Sequence, residues 1–197
     1  MILRSLALSL VLAAPALAAT VGQPAPAFTA TDSHGKTHKL SDFTGKSVVL
    51  EWTNSGCPFV KKHYGAGNMQ STQAAATKAG AVWLTVNSGA PGMQGHVDGA
   101  GANAEIAAGK ARPTAYLLDP TGAIGRAYDA KTTPHIFVID TKGTLAYQGA
   151  IDDQPTSDPA DIKTAKNLAL AALADVKAGK PVKVATSKPY GCSVKYG

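Results

Sequence analysis

The sequence predicts an α/β domain with a mixed central sheet and helices on both faces, from three observations. Short apolar runs recur at residues 47–52, 81–86 and 115–118, with helical stretches between them, the pattern of parallel strands joined by crossovers. Two strand-like runs, 135–140 and 144–149, flank Thr141-Lys142-Gly143 and read as an antiparallel hairpin. A last helical stretch carries an apolar stripe that needs a sheet face to cover it. Crossovers give parallel pairs and the hairpin adds antiparallel ones, so the sheet is mixed.

The chain opens Met1-Ile2-Leu3-Arg4-Ser5, continues in Leu, Ala and Val, and breaks at Pro15 before Ala16-Leu17-Ala18. A basic start, a short apolar stretch and small residues at the end are the three parts of a secretory leader. The apolar stretch is shorter than the ~20 residues a permanent span needs. Residues 1–18 are expected to be a cleaved signal peptide, with Ala19 first in the mature chain and no stable membrane insertion afterwards. That places the protein in the periplasm or outside the cell. Residues 19–197, including a tail at 179–197, then form one domain, in keeping with the usual ~100–200 residues.

The elements follow in order. Residues 20–28 carry Pro24 and Pro26 and read as an extended arm. Residues 28–32 and 36–40 flank Ser33-His34-Gly35, a small hairpin. Residues 41–46 make a short helical turn. The β-branched run 47–52 is a buried strand, broken by Thr53-Asn54-Ser55-Gly56. A helix is expected from Cys57 to about Ala79, open to interruption at Gly65-Ala66-Gly67. Strand 81–86 follows. Residues 87–101 are Gly-rich and irregular, residues 102–108 helical. After strand 115–118, Asp119-Pro120-Thr121-Gly122 turns into a short helix through Tyr128. Beyond the hairpin, a helix fits residues 159–178, with Ile162, Ala165, Leu168 or Ala169, Ala172, Leu173 and Val176 on one face. Gly179 and Pro181 end it.

The net charge is +6, one unit of which leaves with Arg4. The lysines are scattered, arginines are few and aromatics are not interleaved with them, so no nucleic-acid surface is indicated. Asp98-Gly99-Ala100-Gly101 is too short a glycine signal for a nucleotide, and no cofactor is called for. His63, His96, His135 and Met93 could serve a soft metal such as copper, but no close Cys-x-x-x-Cys pair accompanies them. Asp152-Asp153 and Asp158 with Asp161 read more simply as solvated carboxylates. Trp52 and Trp83 lie in strands and read as core.

Chemistry concentrates on Cys57. It stands between a buried strand and a helix, facing the unpaired N–H groups and the positive dipole end of that helix. Cysteines so placed have thiol pKa values lowered from ~8.5 to ~3.5–7.5. Pro58 suits the first helical position. Lys61, four residues on, would share a helical face with Cys57 and favour its thiolate. His63, six residues on, points elsewhere unless the helix bends. Cys192 is the only other cysteine, and in an oxidising compartment two cysteines invite a bond. Thr133-Pro134 opens a hairpin strand, where proline is tolerated at an edge, a bulge or the first residue.

Leu50-Glu51-Trp52-Thr53-Asn54-Ser55-Gly56-Cys57-Pro58-Phe59-Val60, with Thr132-Thr133-Pro134-His135-Ile136-Phe137-Val138-Ile139-Asp140, resembles the redoxin (AhpC/TSA-related) branch of the thioredoxin superfamily. Tyr147-Gln148-Gly149-Ala150-Ile151-Asp152-Asp153 and Tyr190-Gly191-Cys192-Ser193-Val194-Lys195-Tyr196 are similar to peroxiredoxin-like proteins with a Cys-Pro-Phe motif and a C-terminal Gly-Cys-Ser motif. The resemblance implies a thioredoxin-like fold, a cis peptide bond at Thr133-Pro134, and Thr133 held against the active cysteine. It implies thiol–disulfide or antioxidant chemistry on protein thiols or disulfides, or on peroxide. Val60 stands where thioredoxins carry their second cysteine, and Leu50 and Asn54 stand where peroxiredoxins carry a proline and a hydroxyl.

Cys192 is therefore the candidate resolving thiol. Its tail carries Pro189 and Gly191, which let it fold back. A working Cys57–Cys192 couple, a permanent staple and two unpaired thiols all stay open. Peroxide reduction, and copper or protein binding on the same scaffold, are the alternatives to thiol–disulfide exchange.

Overall fold

The computed structural model describes residues 18–197. The leader expected at residues 1–18 lies outside the described residues except for Ala18. A seven-stranded sheet forms the centre, in the spatial order β2-β1-β5-β4-β3-β7-β8. The strands are β1 (Thr29–Asp32), β2 (Thr37–Lys39), β3 (Val48–Trp52), β4 (Val82–Asn87), β5 (Ala115–Leu118), β7 (His135–Ile139) and β8 (Leu145–Gly149). β3, β4 and β5 run parallel, and β7 pairs antiparallel with β3, Leu50 opposite Phe137. The hairpin β7–β8 completes one edge and β1–β2 the other. The mixed sheet and its strand order follow the expectation from sequence, and the fold is thioredoxin-like.

The pleat of β3 sends alternate side chains into two cores. Val48, Leu50 and Trp52 join Phe28, Tyr128 and Phe137 on one face. Val49 joins Trp83, Ile136 and Tyr147 on the other, covered by α2 (Asn68–Lys78) and α5 (Leu168–Lys177) through Met69, Ala76, Ala172 and Leu173. Glu51 faces that second core with no exposure at all. Its carboxylate accepts from Trp83 Nε1 at 2.8 Å, Tyr64 Oη at 2.8 Å, Gln73 Nε2 at 3.1 Å and Thr85 Oγ1 at 3.1 Å. Burial pushes its pKa up even so. Through Tyr64 and Gln73 the carboxylate ties α1 (Pro58–Gly65) and α2 to the sheet beneath them.

One element breaks where the sequence reading left room for it, and two differ from that reading. The helix expected from Cys57 breaks where glycines allow, into α1 (Pro58–Gly65) and α2, with Gly67 left-handed at φ 72°. α3 (Gly99–Gly109) starts earlier than residue 102, because the Asp98 carboxylate caps it by accepting from Gly101 N at 2.8 Å. The long helix expected over 159–178 is two pieces: a 3-10 turn at Pro159–Lys163, then α5. Asn167 ends the gap, capping α5 through Leu170 N at 2.8 Å, while Leu168 N donates to Ile151 C=O. The short α4 (Ala123–Ala127) lies on the Tyr128 side of the sheet. Among the described residues no helix is long and apolar enough to cross a membrane.

Candidate functional site

The site forms where β3 ends. Cys57 N donates to Asn54 C=O at 2.9 Å, and Gly56 N donates to Asn54 Oδ1 at 2.9 Å, so Asn54 builds the turn that feeds α1. Gln94, from the loop after β4, holds Asn54 in turn through its Oε1, which accepts from Asn54 Nδ2 at 2.9 Å. Cys57 is the N-cap of α1, with extended backbone at φ −76° and ψ 125°, and Pro58 occupies the first helical position. Cys57 is 1% exposed.

Two short strands cover it. β6 (Thr132–Thr133) and β9 (Cys192–Ser193) pair antiparallel, with Thr133 opposite Cys192. The Thr133-Pro134 peptide bond is cis, as the resemblance implies. Thr133 C=O lies 3.1 Å from Cys57 Sγ and accepts its S–H. The tail thus brings the two cysteines together, and both are free thiols in this structure.

Their electrostatics diverge. Burial pushes the Cys57 thiol up, but the donors around it outweigh burial. The Cys192 thiol, the Thr133 side chain and the backbone N–H groups of Val60 and Cys192 all favour thiolate, and the pKa lies below its ordinary value. The Val60 N–H acts through proximity, since it closes no cap hydrogen bond. Cys192 is partly exposed, and desolvation together with its role as donor to Cys57 pushes it up to about 11. Of the two thiols, Cys57 is therefore the first to give up its proton.

Lys61 is exposed and forms no ion pair among the described residues. It lines a cavity of about 420 Å³ with Val60, Tyr64, Glu105 and Tyr116, a space that Cys57 does not line. The groups that act on the Cys57 thiol do not include it. Arg112 is exposed, and Arg126 lies 4.6 Å from the Tyr196 ring while donating to Gly197 C=O.

Sequence reasoning missed the anchor that seats the tail. Tyr190 enters between α1 and the segment after β8. Its ring lies 5.8 Å from Phe59 and 5.6 Å from Lys62 Nζ. Its hydroxyl donates to Asp152 Oδ1 and lies 3.1 Å from His63 Nε2. Asn68 Nδ2 donates to His63 Nδ1 at 2.8 Å, which leaves Nε2 as the protonated nitrogen facing Tyr190. Burial holds His63 down at about 4, so it is neutral at pH 7. Lys62 is 1% exposed and donates to Gln154 C=O at 2.7 Å. Tyr190 and Asp152 both stood in the motifs that carried the resemblance, but nothing in the spacing paired them. Among the described residues no group of three metal-ligating side chains occurs.

Comparison with known proteins agrees with the fold. The AhpC/TSA family profile matches residues 21–148. Comparison with curated proteins gave no match. Among solved structures, a hypothetical protein from Sinorhizobium meliloti 1021 superposes with a TM-score of 0.73 at 24% identity, covering 92% of this chain and 97% of its own. A thiol:disulfide interchange protein assigned as DsbE, from Chlorobium tepidum, has a TM-score of 0.58 at 26% identity, covering 79% and 99%. The exposed lipoprotein thioredoxin Etrx1 of Streptococcus pneumoniae strain TIGR4 has a TM-score of 0.50 at 28% identity, covering 62% and 87%.

Proposed function

Since the chain belongs to the AhpC/TSA family, we propose that it is an exported thiol–disulfide oxidoreductase whose working couple is Cys57 and Cys192, acting on protein thiols or disulfides. The observation that carries this reading is the β6–β9 pairing, which sets Cys192 opposite Thr133, the residue whose carbonyl lies 3.1 Å from Cys57 Sγ, and there Cys192 favours the thiolate of Cys57. Cys57 is the nucleophile and Cys192 the resolving thiol. When Cys57 thiolate attacks a disulfide, one sulfur of that disulfide leaves with the electron pair. Cys192, deprotonated as the bond forms, then displaces the other and closes the Cys57–Cys192 bond. Two electrons pass to the substrate, and the reverse steps oxidise a substrate dithiol. Thr133 and Pro134 form the wall over the reacting sulfur. Lys61 remains a candidate for electrostatic support only through long-range attraction, given its exposure.

The similarity to the Chlorobium thiol:disulfide interchange protein supports thiol exchange, and that to the exposed Streptococcus lipoprotein thioredoxin supports export. Within the family, the proposal reads the Cys-Pro-Phe and Gly-Cys-Ser motifs as those of peroxiredoxin-like proteins. The domain is proposed to run over 19–197 after removal of residues 1–18, and Ala19 N already donates to Ala127 C=O. Cys57→Ser should abolish exchange with a small disulfide or a reduced protein. Full activity in that variant sinks the proposal.

A second reading has its own observation. A sulfur exposed by only 1% admits a molecule as small as peroxide more readily than a protein. Peroxide would convert Cys57 thiolate to sulfenate, and Cys192 would condense with it to a disulfide, releasing water. Trapping of sulfenate at Cys57 in the Cys192→Ser variant, at micromolar peroxide, would favour this antioxidant role.

A further inference from the structure

We propose that Gln94 is a positioning residue for Cys57: through the Asn54 side chain it holds the turn before α1, so that the sulfur stays against the Val60 N–H. This rests on Cys57 as the nucleophile assigned above and says what keeps it in place.

The turn comes first. Cys57 N donates to Asn54 C=O at 2.9 Å, closing the turn Asn54-Ser55-Gly56-Cys57. Gly56 N donates to Asn54 Oδ1 at 2.9 Å, so one residue closes the turn twice. That second bond fixes which way the Asn54 amide faces. Its nitrogen points away from the turn and donates to Gln94 Oε1 at 2.9 Å and to Gln94 C=O at 3.2 Å. Gln94 Nε2 returns a longer bond to Asn54 Oδ1, at 3.3 Å. Asn54 is 5% exposed, whereas Gln94 faces solvent. An exposed glutamine that spends its amide on one buried asparagine adds little to the core.

The fit is close. A Cβ on Gly56 would lie 1.8 Å from Gln94 Nε2, and one on Gly95 would lie 2.2 Å from Asn54 Nδ2. The two amides fill space that glycine leaves free on both sides. The loop that presents Gln94 is itself held. Asn87, at the end of β4, donates to Gly95 C=O at 2.8 Å and accepts from Gly89 N at 2.9 Å. His96 Nδ1 lies 2.8 Å from Gly89 C=O. The glutamine is thus offered from a fixed base, as a supporting residue must be.

On its other side the turn is tied to α3, where Ser55 Oγ donates to Glu105. Removing Gln94 therefore loosens the turn without releasing it. The Cys57 sulfur then spends less time at the Val60 N–H, and its negative charge loses part of its support. The same loop also reaches the C-terminal strap, residues 186–197, through Ala90 N, which donates to Lys195 C=O at 2.9 Å. The strap crosses Thr133 at Gly191, where a Cβ would lie 2.1 Å from the Thr133 oxygen at a φ of +130°. An effect of Gln94 could travel by the turn or by the strap, and the two routes separate once Cys192 is removed.

The test alkylates the reduced full chain with iodoacetamide across pH and follows Cys57 by peptide mapping. Gln94→Ala should raise the midpoint by about half a pH unit, slowing the reaction about threefold below it. Gly56→Ala keeps both amides but displaces the Gln94 nitrogen, and it should reproduce the shift. The double variant should shift no further, because both changes break one contact. The Gln94→Ala shift should persist in a Cys192→Ala chain, since it runs through the turn. An unchanged midpoint in either single variant, or a shift that disappears without Cys192, overturns the inference and leaves Cys57 as nucleophile. A parent chain whose Cys57 titrates like a free cysteine removes both the inference and the activated thiol on which it rests.

Discussion

The start of α1 and the C-terminal strap meet at one pair of sulfurs, but they are held there differently. Cys57 is placed by the core: β3 lies buried along its length, the Asn54 turn follows it, and α1 is tied down through Tyr64 to the Glu51 carboxylate. Cys192 is placed by side chains at intervals along a segment with a two-residue strand and no helix. The core-held sulfur is buried and pulled toward thiolate. The strap-held sulfur is partly exposed and pushed toward thiol. The contrast teaches that the reactive group and the accessible group need not be the same cysteine, and that the second can be tuned without disturbing the fold.

The comparison can be broken at several points. Cys57→Ser removes the core-held sulfur, and exchange should fall to the uncatalysed background, read as disulfide reduction or dithiol oxidation. Gly191→Ala strikes the crossing. The Cβ meets Thr133 backbone at a left-handed φ, costing about 1–3 kcal/mol of strap docking. Cys57 alkylation should accelerate while the thermal midpoint of the core changes little. Tyr190→Ala removes one anchor. Losing its hydroxyl contacts costs about 1–2 kcal/mol, enough for roughly tenfold more frequent opening in hydrogen exchange of residues 186–193.

The pH response sharpens the contrast. Alkylation follows thiolate, so its rate should rise through a midpoint below the ordinary ~8.5 of a free cysteine, as the lowered Cys57 value requires. In Cys192→Ala one donor to that thiolate is gone, and the midpoint should move up. The smallest effect belongs to Lys61→Ala. Its exposed charge is screened by solvent, and the alkylation profile should stay within about twofold of the parent.

Much of the core was legible in the sequence. The runs around Val49, Trp83 and Phe137 showed their burial in β-branched and aromatic residues, and Thr141-Lys142-Gly143 marked its hairpin. The helix over 159–178 was not legible as two pieces, because its apolar stripe runs through both. What splits it is long-range: Leu168 N bonds to Ile151 C=O, and Asp152 bridges Asn167. Cys57 could be found from the strand before it and Pro58 after it. Lys61 was singled out by helical spacing, which applies to residues within a helix. Cys57 is a cap with extended backbone, so counting four residues on from it does not fix a shared face. Cys192 could be named but not positioned. Its anchors, Tyr190 with His63 and Asp152, join residues far apart in the chain and carry no local signal.

The most direct measurement is the redox titration of Cys57 and Cys192 in buffers of defined glutathione or dithiothreitol potential, followed by mass shift on alkylation. A working couple predicts one two-electron transition joining Cys57 to Cys192, at a potential above about −300 mV, where structural disulfides end. Two thiols that alkylate independently at every potential, or a bond that survives well below that value, would contradict the account.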